Sequence, residues 1–433
     1  MNLARIAANE RIAQLDVLRG LAILLILYMN IQYMGDFSNP EYFPNRVSWN
    51  GFDQAAWWVN RLLDGTQRGL LELLFGAGVL IMARHAMTPD GPVAVADLHM
   101  RRNMWLMVFG IAHGVVFLWE GDILFAYGTA ALLIFPFRRL RSRWLLGLGI
   151  AVNLGLLAPS MIEYRERAAL ATAATAAGDR LAGGERLGDA DKAVLAKWGA
   201  AQAEARGIDP AIIKAEKARM KGPFAAYAAA RIKAWVSVEF TEVGIYWENV
   251  IEAFGTMMIG MALFKWGIIQ GRASRATFVL LLVAGYGIGL ALRVPATVAQ
   301  LRFDALPDIG MVTFGLARLP ITLGHIGGVT LALSTGLGKI MLRPFEANGR
   351  LPLSTYMGAS AAAVVLFGWP FLGLFGKLGF GQLFALATAI IVSQIIIANL
   401  WLKLFATGPL EWLWKSLSYA APQPLRTGTE PLS

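Results

Sequence analysis

The stretch Leu15–Gln32, LDVLRGLAILLILYMNIQ, decides how the rest of the chain is read. It is an apolar run of bilayer-crossing length, broken by Asp16 and Arg19 near one end and by Asn30 near the other. Each of these side chains is costly in hydrocarbon unless it is paired or functional. Asn30 follows Arg19 by eleven positions and three helical turns take about 10.8, so both share a face, roughly 16 Å apart along the axis. Asp16 precedes Arg19 by three positions and falls on the same side. One stripe therefore carries an ion pair at the helix end and an amide at depth. The plain alternative is an anchoring Arg that snorkels to the interface, with an Asn bonded to a neighbouring helix.

The whole chain reads like this stretch. Of its 433 residues 56% are hydrophobic and only 16% charged, with a mean hydropathy of +0.52. A soluble protein keeps about a quarter of its residues charged. Runs of about 20 apolar residues suffice to cross a bilayer, and they recur from end to end. The fold class is therefore all-α, a polytopic membrane protein with about ten spans. These run near 16–35, 67–84, 103–119, 122–138, 144–162, 246–268, 277–297, 311–336, 353–373 and 381–404. The net charge of +10 follows from basic loops on one side of the membrane rather than from nucleic-acid binding, of which there is no motif. The absence of cysteine excludes disulfides, thiolate nucleophiles and Cys-based metal sites. The first apolar segment is too long for a signal-peptide core and is read as a retained helix.

Six basic clusters fall on one face: Arg5 with Arg11; Arg84 with Arg101 and Arg102; RRLRSR at 138–143; Lys265 with Arg272 and Arg275; Lys339 with Arg343 and Arg350; and Lys403 with Lys415. The positive-inside bias then puts both termini in the cytoplasm. The opposite face receives GDFSNPEYFPN, the tight WEGD turn and RFDALPD. Three regions follow: a membrane half at 1–162, an Ala-rich extracytoplasmic helical insert at 163–243, and a second membrane half at 244–433 ending in an interfacial helix. The insert should break at Gly183–Gly184 and Asp209–Pro210, and is either a solvated cap or a lid over a site. In the terminal helix, Trp412 and Trp414 suit anchoring at headgroup level.

The third span carries the next candidate. A 3.6-residue period places Arg102, Leu106, Phe109, His113, Phe117 and Glu120 on one stripe. His113 lies past the midplane between Gly110 and Gly114, which permit close helix approach. It is either a structural histidine or a general base near neutral pH that a carboxylate orients. Glu120 and Asp122 sit at the outer mouth. Glu72 is deep, and Arg318 is a candidate partner for it; Glu248, Glu252 and His325 fit structural roles at least as well. No spacing suits a metal, and no G-x-S-x-G elbow or phosphate-binding loop is present.

Several blocks together resemble the YeiB-like family, bacterial membrane proteins of unknown function. They are RIAQLDVLRGLAILLILYMN (11–30), LLFGAG ending at Gly78, RRNMWLMVFGIAHGVVFLWEGDILFAYG (101–128), EANGRLPLSTYMG (346–358) and TGPLEWLWKSL (407–417). That family is similar in turn to the wider transmembrane acyltransferases, including polysaccharide O-acylases and heparan glucosaminide N-acetyltransferase. The resemblance implies an inner-membrane, multi-pass enzyme that moves an acyl group, acetyl in the first instance, from cytoplasmic acyl-CoA to an acceptor on the far side. The O-acylases carry an Arg and, eleven positions on, a His on the first helix. Here Arg19 matches the Arg, but Asn30 stands where the base should be.

The expected mechanism follows. Arg19, Arg101 and Arg102, with Asp16 beside them, bind the phosphates of the acyl-CoA co-substrate. The acyl arm threads between the first and third spans. His113 is the base, Glu120 or Asp122 orients a small-molecule or glycan-type acceptor, and Asn30 donates to the developing oxyanion. The bilayer is the partner, no metal is needed, and a homodimer is left open. The rival reading is a carrier for a small anionic or zwitterionic metabolite, with which midplane His and Arg are also compatible.

Overall fold

Apolar runs this long can satisfy their backbone within a bilayer only as helices, and helices are what the chain forms. The computed structural model describes residues 12–36, 43–49, 51–83, 93–220, 222–241, 243–368 and 371–426. Arg5, Arg11, Arg84 and much of GDFSNPEYFPN lie outside them. Among the described residues the only β pairing is an isolated bridge between Phe405 and Arg426.

In chain order the helices are α1 (Ala13–Gly35), the single turn α2 (Phe43–Arg46), α3 (Gly51–Leu63), α4 (Thr66–Ala83), α5 (Val93–Val115) and α6 (Leu124–Ile134). Then come α7 (Ser142–Gly155), α8 (Ala158–Ala182), α9 (Asp189–Ala205), α10 (Pro210–Met220), α11 (Phe224–Val236), α12 (Val243–Lys265) and α13 (Arg275–Gln300). The last are α14 (Gly310–Leu316), α15 (Arg318–Leu333), α16 (Gly336–Arg350), α17 (Pro352–Phe367), α18 (Phe380–Leu404) and α19 (Pro409–Tyr419).

The first helix is the hub. Its buried residues, from Leu15 through Gly20, Leu24 and Leu27 to Met34, lie all around its circumference, the mark of an interior helix. It packs on α4, α16, α17 and α18. The contact with α16 is close enough to need glycine, since a Cβ on Gly349 would strike the Asp16 backbone. By contrast α13, α18 and the rod formed by α7 and α8 present Leu280, Val283, Ile397 and Leu154 outward. Such apolar surface suits lipid and would be a liability in water.

Among the described residues six helical stretches are long and apolar enough to cross a membrane, and a seventh counts if α16 and α17 form one span bent by 85°. That is fewer than ten. The shortfall lies at α5, α6 and α12. α5 carries Arg101 and Arg102, α12 carries Glu248 and Glu252, and α6 has 11 residues before it tightens into a 3-10 turn at Phe135–Arg139. Two helices stand where loops were expected. One is α3, which turns Ala56, Trp57 and Asn60 inward. The other is α16, with Leu337, Ile340 and Met341 exposed. Pro352 begins α17 and cannot continue α16, so the chain turns there.

The segment between the two apolar halves is helical with interruptions at Gly183–Gly184 and Asp209–Pro210. It is tied down at several points. Asn45 exchanges hydrogen bonds with the Ile208 backbone, Gln202 accepts from Ala305 N, and Lys217 donates to Gly376 O.

Candidate functional site

The sharpest polar feature of the interior is built at the end of α5. That helix stops at Val115, and Leu118 takes a left-handed backbone conformation with φ of 53°. A bulky residue held there is strained, a condition that clusters at functional sites. The reversal carries Trp119, Glu120 and Asp122 back under the helix instead of onward along its stripe. Glu120 therefore does not share a helical face with His113, as the 3.6-residue period had suggested. Periodicity assumes a helix that has already ended.

His113 is fully buried and has two partners. Its Nδ1 lies 2.7 Å from Asp122 Oδ1, and its Nε2 lies 2.8 Å from Ser360 Oγ on α17. Asp122 is held from behind, its other oxygen accepting from Phe125 N at 2.8 Å. The ring rests 4.7 Å from that of Tyr356, whose hydroxyl donates to Gly121 O. A carboxylate facing Nδ1 fixes that nitrogen as the donor. Nε2 is then a lone pair, and Ser360 is the donor to it.

Beside this cluster lies a cavity of about 500 Å³, lined by Asn30, Asp64, Gln67, Arg68, Trp119 and Glu120 among others. Asn30 and Glu120 thus share one space. His113 does not line it, so the expected single tunnel from Asn30 to His113 is not formed. The buried Gln67 has an Oε1 without a hydrogen-bond partner among the described residues. The insert contributes directly. Arg231 of α11, buried to 4% exposure, lies 3.5 Å from Glu120 and donates to Tyr33 O at 3.1 Å. Its neighbour Trp235 packs on α5 where Gly114 leaves room, since a Cβ there would collide with the indole. The insert is therefore more than a solvated cap.

Beside the cavity, four charges form one network, in which Glu72 and Arg318 are buried and Arg68 and Glu252 are partly exposed. Arg318 Nη1 lies 2.8 Å from Glu72 and 3.2 Å from Glu252, and Arg68 lies 2.6 Å from Glu252. Tyr127 donates to Glu72, while Thr256 and Asn153 accept from Arg318. Glu72 and Arg318 are partners, as their depth had suggested. Glu252, which fitted a structural role at least as well as a functional one, belongs to the same network. His325 is bonded to Tyr286 and Thr66, which meets both ring nitrogens and makes it structural.

At the far end of α1, Arg19 donates to Asp16 at 3.0 Å and to Gly349 O at 3.1 Å. Arg102 stacks 4.1 Å over the ring of Trp414, whose indole donates to Arg102 O. Trp414 is thus turned onto the protein rather than left for headgroups. Arg101 points elsewhere, paired with Asp97 at 2.7 Å. α1 and α5 do not form the main packing pair that a channel between them would need, since α5 rests chiefly on α6 and α19. Among the described residues no group of three His, Asp or Glu side chains is placed to hold a metal ion.

Ser360, Trp119 and Arg231 were not picked out from the sequence. Ser360 lies two residues beyond the block EANGRLPLSTYMG, and only the pairing across 247 positions reveals it.

Residues 263–421 match the family model described as "Protein of unknown function (DUF418)". The uncharacterized protein YxaH of Bacillus subtilis (strain 168) is 25% identical over 98% of this chain and 98% of its own length. The uncharacterized protein YeiB of Escherichia coli (strain K12) is 27% identical over 96% of this chain and 98% of its own length. No solved structure matches the chain.

Proposed function

Over nearly its whole length the chain is similar to the uncharacterized proteins YeiB and YxaH, and from that likeness we propose that it is a YeiB-like, membrane-embedded acyltransferase. It takes an acyl group from cytoplasmic acyl-CoA and passes it to a hydroxyl or amine held on the opposite side. Both termini then lie in the cytoplasm, and α5, α6 and α12 complete about ten crossings.

The observation that carries this reading is the buried pair of Asp122 and His113 at 2.7 Å, with Nε2 presented as a base. General bases work within hydrogen-bond reach of the proton they take and contribute about 10²–10⁴-fold. A carboxylate on the other nitrogen fixes the tautomer and stabilises the imidazolium that forms. The neighbouring cavity supplies what an acceptor needs. Asn30 and Gln67 offer amides, Glu120 and Asp64 accept from hydroxyl or ammonium groups, and Trp119 gives an apolar wall. At the other end Arg19 and Arg102 supply guanidinium groups, whose planar fork suits anionic phosphates.

The test is binding followed by point substitution. Acetyl-CoA should raise the unfolding temperature of the purified protein in nanodiscs, and Arg102→Ala should remove most of that rise. No rise with acetyl-CoA or longer acyl-CoAs would contradict the reading.

One observation favours a second reading, a carrier for a small charged metabolite. Arg68 joins the four-charge network to the cavity wall, and buried charges at membrane depth mark transport pathways as well as enzymes. Counterflow of an amino acid or carboxylate in proteoliposomes, with no acyl-CoA response, would support it.

A further inference from the structure

Of the groups packed against His113, Ser360 is the one for which acceptor deprotonation leaves no task. Its hydroxyl occupies Nε2, the atom that the acceptor must reach. Other hydroxyls on the apolar helices take a different course. Thr129, Thr322, Thr330, Thr388 and Ser393 each bond the carbonyl four residues back, at 2.7–3.0 Å. That local bond is the cheap way to bury a hydroxyl in a helix. Ser360 bonds His113 instead, although it lies in the middle of α17 and is 1% exposed. Three groups are thus in line, Asp122 to His113 to Ser360, at 2.7 and 2.8 Å. A nucleophile bonded to a base that a third group orients is the general signature of covalent catalysis.

Resting on the acyl-transfer reading above, we propose that Ser360 is the covalent carrier of the acyl group. In the first half-reaction Ser360 Oγ attacks the thioester carbonyl of acyl-CoA while its proton passes to His113 Nε2. The C–S bond breaks, and His113 returns that proton to the departing thiolate, giving free CoA and O-acyl-Ser360. In the second, His113 takes a proton from the acceptor hydroxyl or amine, which attacks the ester carbonyl. The C–O bond breaks, and Ser360 recovers its proton. The two substrates therefore need not meet, so donor and acceptor can approach from opposite sides of one residue.

The surroundings fit that division. Ser360 opens on a slot of about 10 Å³ bounded by Met34, Trp119, Tyr227 and Arg231. Trp119 also bounds the 500 Å³ cavity that holds Asn30 and Glu120. One indole, placed just after the strained Leu118, separates the serine from the acceptor space. An acyl group needs more room than the slot offers, and Trp119 is the wall that must turn.

The test uses acetyl-CoA labelled in its acetyl group and the full-length protein in nanodiscs, first without acceptor and then with glucosamine, which offers both hydroxyls and an amine. The expected result is one label per chain on the peptide holding Ser360, with isotope exchange between free CoA and acetyl-CoA before any acceptor is added. Ser360→Ala should lose label and exchange while keeping its thermal unfolding within a few degrees. Ser360→Cys should take the label as a thioester that neutral hydroxylamine releases. Turnover with glucosamine, but no label on Ser360 and no exchange, overturns the covalent carrier and leaves direct transfer standing. An absence of both turnover and label overturns the acyl-transfer reading and the carrier with it.

Discussion

Glu72 and Arg318 lie 246 positions apart in the chain, yet their Oε2 and Nη1 atoms are 2.8 Å apart with both side chains buried. Arg318 also holds Glu252 at 3.2 Å, so removing it takes the 2.8 Å partner from Glu72 and leaves Glu252 to Arg68 alone, at 2.6 Å. Breaking one partner of a buried pair costs about 3–5 kcal/mol, whereas replacing both with apolar groups of similar volume is often neutral. Arg318→Met should therefore destabilise the protein strongly, and the double change Glu72→Met, Arg318→Met, which leaves the Arg68–Glu252 pair in place, much less. Denaturant titration in detergent measures both. Equal losses would show that the network is not one electrostatic unit.

Glu411 caps a helix from outside it. Its Oε1 accepts from Leu353 N at 2.6 Å and Ser354 N at 2.9 Å, and its Oε2 accepts from Ser354 Oγ at 2.6 Å. These are the first amides of α17, which no intrahelical carbonyl can satisfy. Leaving such buried donors unpaired costs about 1–3 kcal/mol each way the loss is counted. Glu411→Ala should lower the unfolding temperature and speed hydrogen exchange at Leu353–Tyr356, with Glu411→Gln intermediate. Unchanged exchange there would contradict the cap.

Glu239, in the turn between α11 and α12, is pushed up to about 8 by burial and, secondarily, by the charge of Asp122. An unfolded glutamate titrates near about 4.3. Between pH about 5 and 8 the folded chain keeps a proton that the unfolded chain has released, so stability falls as pH rises through that window. Below it both states hold the proton, and the penalty disappears. Glu239→Gln should flatten the decline and be more stable than the parent above pH 8. An identical slope in the variant would rule Glu239 out as its source.

Gly349 is where α16 crosses α1. A side chain there meets the Asp16 backbone, beside the residue that Arg19 grips. Overpacking of a tight contact costs about 1–3 kcal/mol. Gly349→Leu should thus destabilise the protein and also weaken any response to acetyl-CoA, because Arg19 bonds Gly349 O. Gly287, with open space around it, is the control, and Gly287→Leu should change neither.

Most of what could be read from the chain was local, the exception being Glu72 and Arg318, matched by depth and opposite charge. Asp16 and Arg19 are three apart on one helix, and helical geometry alone brings them to 3.0 Å. His113 stood out because imidazole is rare at depth, and Asp122 because it follows nine positions on, at the expected outer mouth. Glu120 was misplaced on a stripe, since nothing in a 3.6-residue period announces a left-handed Leu118. The helices α5, α6 and α12 are short or charged by the measure of a lipid-crossing span. Ser360 was invisible for a different reason. A serine in the run GASAAAV has no local signal, and its meaning comes from a helix 247 positions away.

The most direct test of the account is release of free CoA from acetyl-CoA, in the presence of glucosamine, by the intact protein and by His113→Ala. The account predicts steady release by the intact protein and a fall of about 10²–10⁴-fold in the variant, at unchanged acetyl-CoA-induced stabilisation. Release that survives intact in His113→Ala would contradict it.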